Sequence, residues 1–219
     1  MRAFEKLPPE FQNPQVKKYY DILRKKSASV VMKRVFDIVA ALLILLFLLL
    51  PIAVIAVLVK CDSKGPAMFR QERVTKYGKK FRIFKFRTMV VNAESLGTLV
   101  TTDSDSRVTK IGRTLRKYRL DELPQIFNVL GGSMSFVGTR PEVPRYVDAY
   151  EDVYYATLLL PAGITSLASI MYKDEEKLLS AGGDTDKVKI QGDIPIPLVP
   201  PYRWTVLPHE EADNHSPSQ

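Results

Sequence analysis

Residues 38–59 read IVAALLILLFLLLPIAVIAVLV, 22 consecutive residues without a charge. Coiled as an α-helix, the run measures roughly 33 Å, about the hydrocarbon thickness of a bilayer. It therefore predicts a membrane segment. It starts too far from Met1 and is too long for an ordinary secretory signal peptide, so it is expected to remain in the mature chain. Pro51 interrupts it. A proline inside a helix removes a backbone donor and crowds the carbonyl of the preceding turn. It divides this run into pieces of about 20 Å and 12 Å, neither long enough to cross alone.

The flanks add a second constraint. Lys17, Lys18, Arg24, Lys25, Lys26, Lys33 and Arg34 precede the run, and Lys60, Lys64, Arg70, Arg73, Lys76, Lys79 and Lys80 follow it. Basic residues mark the cytoplasmic side, and here both sides carry seven. A helix broken at Pro51 that enters and leaves by one face satisfies both flanks. A kinked, tilted single span is the other reading that these features leave open. Asp37, at the edge of the run, is expected to pair with Lys33 or Arg34 one turn earlier. Residues 1–34 mix Phe4, Phe11, Tyr19, Tyr20 and Ile22 with basic residues. That mixture suits a helix lying among lipid headgroups, or an amphipathic surface helix without lipid contact.

Downstream, residues 70–87 hold eight Lys/Arg and one acid, Glu72. Aromatic and branched residues on either side of TKYGKK predict two strands around a turn at Gly78. Phe81, Phe84 and Phe86 interleaved with cations also resemble a single-strand nucleic-acid platform. Beside a membrane segment, an anionic lipid or a diphosphate is the better match. The densest chemistry lies in residues 115–144, LRKYRLDELPQIFNVLGGSMSFVGTRPEVP. Asp121 and Glu122 stand just before Pro124, a good first-turn residue, and Gly131 and Gly132 close the helical run. A helix N-terminus beside two carboxylates would help to hold Asp121 ionised. Arg113, Arg116, Lys117, Arg119 and Arg140 supply the positive charge that an anionic nucleophile needs beside a phosphate. Adjacent acids before a helix are more often simple caps.

Taken in order, these blocks resemble the bacterial sugar transferase family, the small monotopic phosphoglycosyl transferases. The resemblance runs from Lys33-Arg34-Val35-Phe36-Asp37 through Phe69-Arg70-Gln71-Glu72-Arg73-Val74 and Phe84-Lys85-Phe86-Arg87-Thr88-Met89. It continues through Arg107-Val108-Thr109, Gly112-Arg113 and Leu120-Asp121-Glu122-Leu123-Pro124-Gln125. It ends in Met134-Ser135, Val137-Gly138-Thr139-Arg140-Pro141-Glu142 and Pro161-Ala162-Gly163-Ile164-Thr165.

The resemblance implies an α+β fold: a monotopic membrane protein with a re-entrant helix broken at Pro51, amphipathic surface helices, and a small β-hairpin beside a helical catalytic domain. The expected divisions are a basic amphipathic segment over 1–34, the re-entrant helix over 35–60, the catalytic domain over 61–179 and an irregular tail over 180–219. It implies transfer of a sugar 1-phosphate from a nucleoside diphosphate sugar, with uridine as the expected base, to polyprenyl phosphate. The place would be the cytoplasmic face of the bacterial inner membrane. Carried over by motif, Asp121 is the nucleophile and Glu122 supports it through Mg²⁺. Arg70, Arg73, Lys85, Arg87, Arg140, Pro141 and Glu142 are the substrate-binding candidates, with Arg87 and Arg140 gripping phosphate. Further expected partners are anionic membrane lipid and downstream glycosyltransferases, and no nucleic acid. A weakened relative that binds lipid phosphate or partner proteins is the alternative.

Two departures stand out. Thr139 replaces the proline the family usually has, leaving the turn before Arg140 less rigid. From Ser180 the chain reads SAGGDTDKVKIQGDIPIPLVPPYRWTVLPHEEADNHSPSQ, where the proline density opposes helix. Both histidines, His209 and His215, lie there. With one cysteine, Cys61, the chain has no internal disulfide and no Cys-based metal cluster. Its 219 residues carry a net +8 and a pI near 9.5. Residues 180–219 hold three Lys/Arg and six Asp/Glu, so the first 179 carry +11. The basic excess thus belongs to the portion that would meet an anionic partner.

Overall fold

The computed structural model describes residues 1–93 and 105–166. The expected tail from Ser180 and the end of the expected catalytic domain lie outside the described residues.

The chain opens with two 3-10 turns, Phe4–Lys6 and Pro9–Phe11, and then helix α1, Pro14–Lys25. Asn13 caps α1 by accepting the Val16 amide at 2.8 Å, and Pro14 supplies the preset first-turn φ. The buried residues Val16, Tyr20 and Leu23 fall on one face. With Leu7 and Phe11 they pack on Val74, Tyr77, Val147, Ala156, Leu158 and Leu159. The apolar face of the N-terminal segment is thus covered by protein, as the surface-helix alternative requires.

Helix α2, Ser27–Asp62, carries the apolar run. It is the one helix among the described residues long and apolar enough to cross a membrane. It remains helical through Pro51, so the expected division does not take the form of a lost turn. Protein covers one stripe, in which Asp37, Ala41, Ile52 and Val59 are buried and Leu45, Leu48, Ile55 and Ala56 are partly buried. The spacing of three and four residues is that of a single helix face. The other face is bare, with Leu46 75%, Phe47 76% and Leu50 73% exposed, which in water would be untenable for so many large apolar side chains.

Strand β1, Met68–Thr75, pairs antiparallel with β2, Lys79–Phe86, from Met68↔Phe86 to Thr75↔Lys79. The turn Lys76–Gly78 is the one expected at Gly78, with Tyr77 and Gly78 both at positive φ. Then come α3, Lys110–Lys117, a 3-10 turn over Leu120–Glu122, and α4, Gln125–Leu130. Strand β3, Met134–Val137, pairs parallel with β4, Ala162–Thr165. Between them lie α5, Pro144–Val147, and a 3-10 run over Asp152–Leu159. Gly138 and Gly163 let β3 and β4 approach closely; a Cβ on Gly163 would stand 2.2 Å from the Gly138 nitrogen. A second core joins the covered stripe of α2 to Ile83 and Phe86 of β2, Leu115 of α3, Ile126 and Val129 of α4 and Met134 of β3.

Both ends of α2 are tied to this body. Near its start, Arg34 donates to the Val129 and Leu130 carbonyls at 2.7 and 3.2 Å. Asp37 accepts from Ser135 Oγ at 2.7 Å and pairs with Lys33 at 3.1 Å, the partner expected from spacing. At its end, Asp62 accepts the Ile111 amide at 3.0 Å.

Candidate active site

The Leu120–Glu122 turn is entered through Arg119, a non-glycine residue in the left-handed region at φ 56° and ψ 22°. Such backbone strain persists only where surrounding structure enforces it. Asp121 is buried at 9% exposure. α4 starts only at Gln125 and has six residues. The expected helix is present, starting three residues after Glu122, but it is short, and the carboxylates themselves sit on a 3-10 turn ahead of it.

The charge that faces the carboxylates comes from two other elements. Lys85 of β2 lies 2.8 Å from Glu122 Oε1, Arg140 Nη2 at 3.6 Å and Arg119 Nη1 at 3.9 Å. Burial opposes the charge of Glu122, but Lys85 and Arg140 together draw its pKa below the ordinary carboxylate value. Burial pulls the Lys85 pKa down, with Glu122 holding it partly up. For Asp121, burial outweighs the pull of Lys85, and the Glu122 charge adds to it, so its pKa is raised. That reverses the expectation of a carboxylate held ionised by a helix end. Asp121 has no ion pair within 4 Å among the described residues.

Asn128 sets this arrangement, and its role was not legible in the sequence. Its Oδ1 accepts the Phe84 amide at 2.8 Å and its Nδ2 donates to the Arg82 carbonyl at 3.0 Å. The amide thus zips α4 to the edge of β2 and holds Lys85 opposite Glu122. On the other side, Arg73 donates to the Pro141 carbonyl at 3.1 Å, and the Val74 amide donates to the Glu142 carbonyl at 2.9 Å. These two bonds fix the segment that carries Arg140. Thr139 accepts the Gly163 amide at 2.8 Å through its carbonyl, so β4 steadies the turn in which proline is missing. Its Oγ1 is buried without a hydrogen-bond partner among the described residues.

Arg73, Lys85, Glu122, Arg140 and Pro141 line one small cleft, together with Ile83, Gln125, Gly163 and Ile164. Asp121 adjoins Glu122 without lining it. Three other candidates lie elsewhere. Arg70 stacks 4.7 Å over the Phe84 ring on the hairpin surface. Arg87 is 6% exposed and spends its guanidinium on the Ser63 carbonyl at 2.6 Å, Ser63 Oγ at 2.9 Å and the Lys64 carbonyl at 2.8 Å. It pins the chain as it leaves α2. Glu142 does not line the cleft, but its carbonyl takes the Val74 amide and its negative charge supports the positive charge of Arg73. The phenylalanines do not form an open stacking platform: Phe86 is buried, Phe84 meets Phe127 edge-on and Phe81 packs on the core. No cluster of three or more His, Cys, Asp or Glu suited to a metal occurs among the described residues. Mg²⁺ needs fewer, since it keeps waters and takes one or two carboxylates with substrate phosphates. Glu122 fits that donor set as the one carboxylate, beside Asp121.

The model of the family described as bacterial sugar transferase matches residues 28–192, a range that runs past Ser180. An Aeromonas hydrophila protein named UDP-N-acetylgalactosamine-undecaprenyl-phosphate N-acetylgalactosaminephosphotransferase is 42% identical over 165 residues, covering 74% of this chain and 38% of that protein. An Escherichia coli (strain K12) protein named UDP-glucose:undecaprenyl-phosphate glucose-1-phosphate transferase is 42% identical over 142 residues, 64% of this chain and 31% of that one. A Bacillus subtilis (strain 168) relative is 41% identical over 143 residues, 65% of this chain and 79% of that one. The chain thus matches less than half the length of the first two.

Proposed function

The chain belongs to the bacterial sugar transferase family, and on that premise we propose that it is a phosphoglycosyl transferase moving a sugar 1-phosphate from a nucleoside diphosphate sugar to undecaprenyl phosphate. The names of its relatives support both substrates, with UDP as the carrier. One observation carries the chemistry: Asp121, buried and without an ion pair among the described residues, stands next to Glu122, whose charge is held by Lys85, Arg140 and Arg119.

A carboxylate engaged by cations is a poor nucleophile, and one left without them is a better one. The cations on Glu122 leave Asp121 free while keeping positive charge within reach of a diphosphate. In the first step an Asp121 carboxylate oxygen bonds to the β-phosphorus. The bond from that phosphorus to the bridging oxygen breaks, and the nucleoside monophosphate leaves with the electron pair. In the second step an oxygen of undecaprenyl phosphate bonds to the same phosphorus and Asp121 departs as carboxylate. Arg140, 43% exposed at its side chain, is the cation best placed to follow the phosphate oxygens. Arg73, fixed by Pro141 and Gln71, keeps Arg140 in place. Mg²⁺, held by Glu122 with substrate phosphates, would supply charge neutralisation at the diphosphate.

The same reading places both flanks of α2 on the cytoplasmic face, with the helix re-entering rather than crossing. Support comes from the equal basic flanks and from the attachment of both helix ends to one body. The chemistry is tested with a nucleotide sugar labelled in its sugar phosphate. Labelled protein should form before lipid acceptor is added and be discharged by undecaprenyl phosphate. In Asp121→Asn it should fall by roughly three orders of magnitude or more, the scale for removing a nucleophile. Undiminished labelling, or release of nucleoside diphosphate, overturns the scheme.

A further inference from the structure

After β2 the chain makes a tight turn over residues 90–93. The Ala93 amide donates to the Val90 carbonyl at 3.3 Å, and Asn92 takes φ 64°. Asparagine is one of the few residues besides glycine that adopt that conformation readily. Turn tips are ordinarily polar, but this one presents two valines, Val90 at 40% and Val91 at 49% exposure. The turn is held firmly. The Val90 amide donates to the Arg107 carbonyl at 2.9 Å, and Arg107 Nη1 donates to the Ala93 carbonyl at 2.8 Å.

Its surroundings decide the meaning of that exposure. Arg87 binds the Ser63 and Lys64 carbonyls immediately after α2. A Cβ built on Gly65 would stand 2.8 Å from Val91 Cγ2. Val91 therefore lies against the segment by which the chain leaves α2, with Val90 beside it in the turn. The last turns of that helix expose Val57 and Leu58, and Lys60 and Lys64 are exposed beside them.

We propose that the turn over residues 90–93 is a second membrane contact, with Val90 and Val91 inserted into the lipid interface beside the end of α2 and Lys60 and Lys64 on phosphate headgroups. Single exposed valines are ordinary on protein surfaces. A valine pair held in a hydrogen-bonded turn, next to the chain leaving a bare apolar helix on which Lys60 and Lys64 are exposed, is the kind of arrangement that amphipathic lipid contacts use. The body is fixed to α2 at both ends, so a lipid contact off the helix axis limits how far the two tilt together against the bilayer plane. It also reaches the candidate site, because Thr88, two residues before Val90, receives Arg116 Nε of α3 at 2.9 Å, and α3 leads into the turn carrying Asp121.

The proposal rests on α2 being a membrane segment, so the test carries its own control. Single-tryptophan additions Phe47→Trp, Val91→Trp and Val90→Trp are compared with the parent, whose only tryptophan is Trp204. Each full-length protein is placed in phosphatidylcholine–phosphatidylglycerol vesicles with and without dibrominated acyl chains. Val91→Trp or Val90→Trp should show about two-fold more bromolipid quenching than the parent and little added iodide quenching, as expected for an indole at the interface. Quenching of Phe47→Trp with both valine variants matching the parent in bromolipid and open to iodide overturns the second contact alone. If Phe47→Trp is also unquenched, the membrane reading of α2 falls and the proposal falls with it.

Discussion

Asp121 and Glu122 are neighbours in sequence with opposite pKa shifts, and that contrast has consequences for pH. The Asp121 pKa is raised, so adduct formation should have an acid limb above the ordinary aspartate range, rising as the carboxylate ionises. In Glu122→Gln the neighbouring negative charge is gone, and the limb should move to lower pH even as the rate falls. The sign for stability follows the same logic. A carboxyl whose folded-state pKa is raised loses stability as pH climbs from the unfolded value through the folded one, so at neutral pH charged Asp121 is a liability. Asp121→Asn should therefore be more stable than the parent by about 1 kcal/mol, seen as a higher Tm in detergent. The Glu122 pKa is lowered, and its contribution is present above the unfolded value and lost as pH falls through the folded one. Lys85→Met removes the cation 2.8 Å away, lets burial dominate and should raise the pH at which Glu122 protonates. A kcat/KM profile unchanged on its acid side would count against the pairing.

At the scale of elements, β3 and β4 depend on two glycines whose backbones almost touch. Gly163→Ala places a methyl group against the Gly138 backbone and should cost about 1–3 kcal/mol, or more where the strands cannot part. Gly163 also lines the cleft, so activity should fall with stability. The attachment of α2 offers a topological check. Native Cys61, exposed at the end of α2, and a Lys25→Cys before its start should both react with an impermeant maleimide from the same side of sealed vesicles. Reaction from opposite sides would favour a single span. Much of this scale was legible in sequence. The apolar run, the hairpin around Gly78 and the Lys33–Asp37 pair follow from periodicity, turn chemistry and helical spacing. The pairing of Lys85 with Glu122, the clamp through Asn128 and the diversion of Arg87 to the end of α2 were not. Each depends on contacts between residues 23–46 positions apart, which no local pattern encodes.

For the whole molecule, the basic excess and the apolar stripe have separate uses: cations at the cleft and the membrane edge, and apolar surface shared between two cores and the bare face of α2. The N-terminal segment, for which the sequence left a headgroup helix and a surface helix both open, forms half of one core. Deleting residues 1–25 would uncover Val74, Tyr77, Ala156, Leu158 and Leu159. At about 1.5–3 kcal/mol for each large apolar side chain, that loss exceeds the stability of an ordinary domain once the partners on α1 are included. The truncated protein should aggregate in detergent, read by size-exclusion chromatography against the parent. Its apolar face left both readings open because packing against protein and packing against lipid select the same residues at the same helical spacing.

The Asp37 contact sets an order of events during synthesis. Ser135, which satisfies its carboxylate, lies 98 residues further along. At the usual ~5–20 residues per second, about 5–20 s pass between the addition of Asp37 and the addition of that partner. Through that interval Lys33 is the companion within reach, one helical turn away. The nascent helix therefore carries its own counter-ion and holds a docking point open for a strand not yet translated.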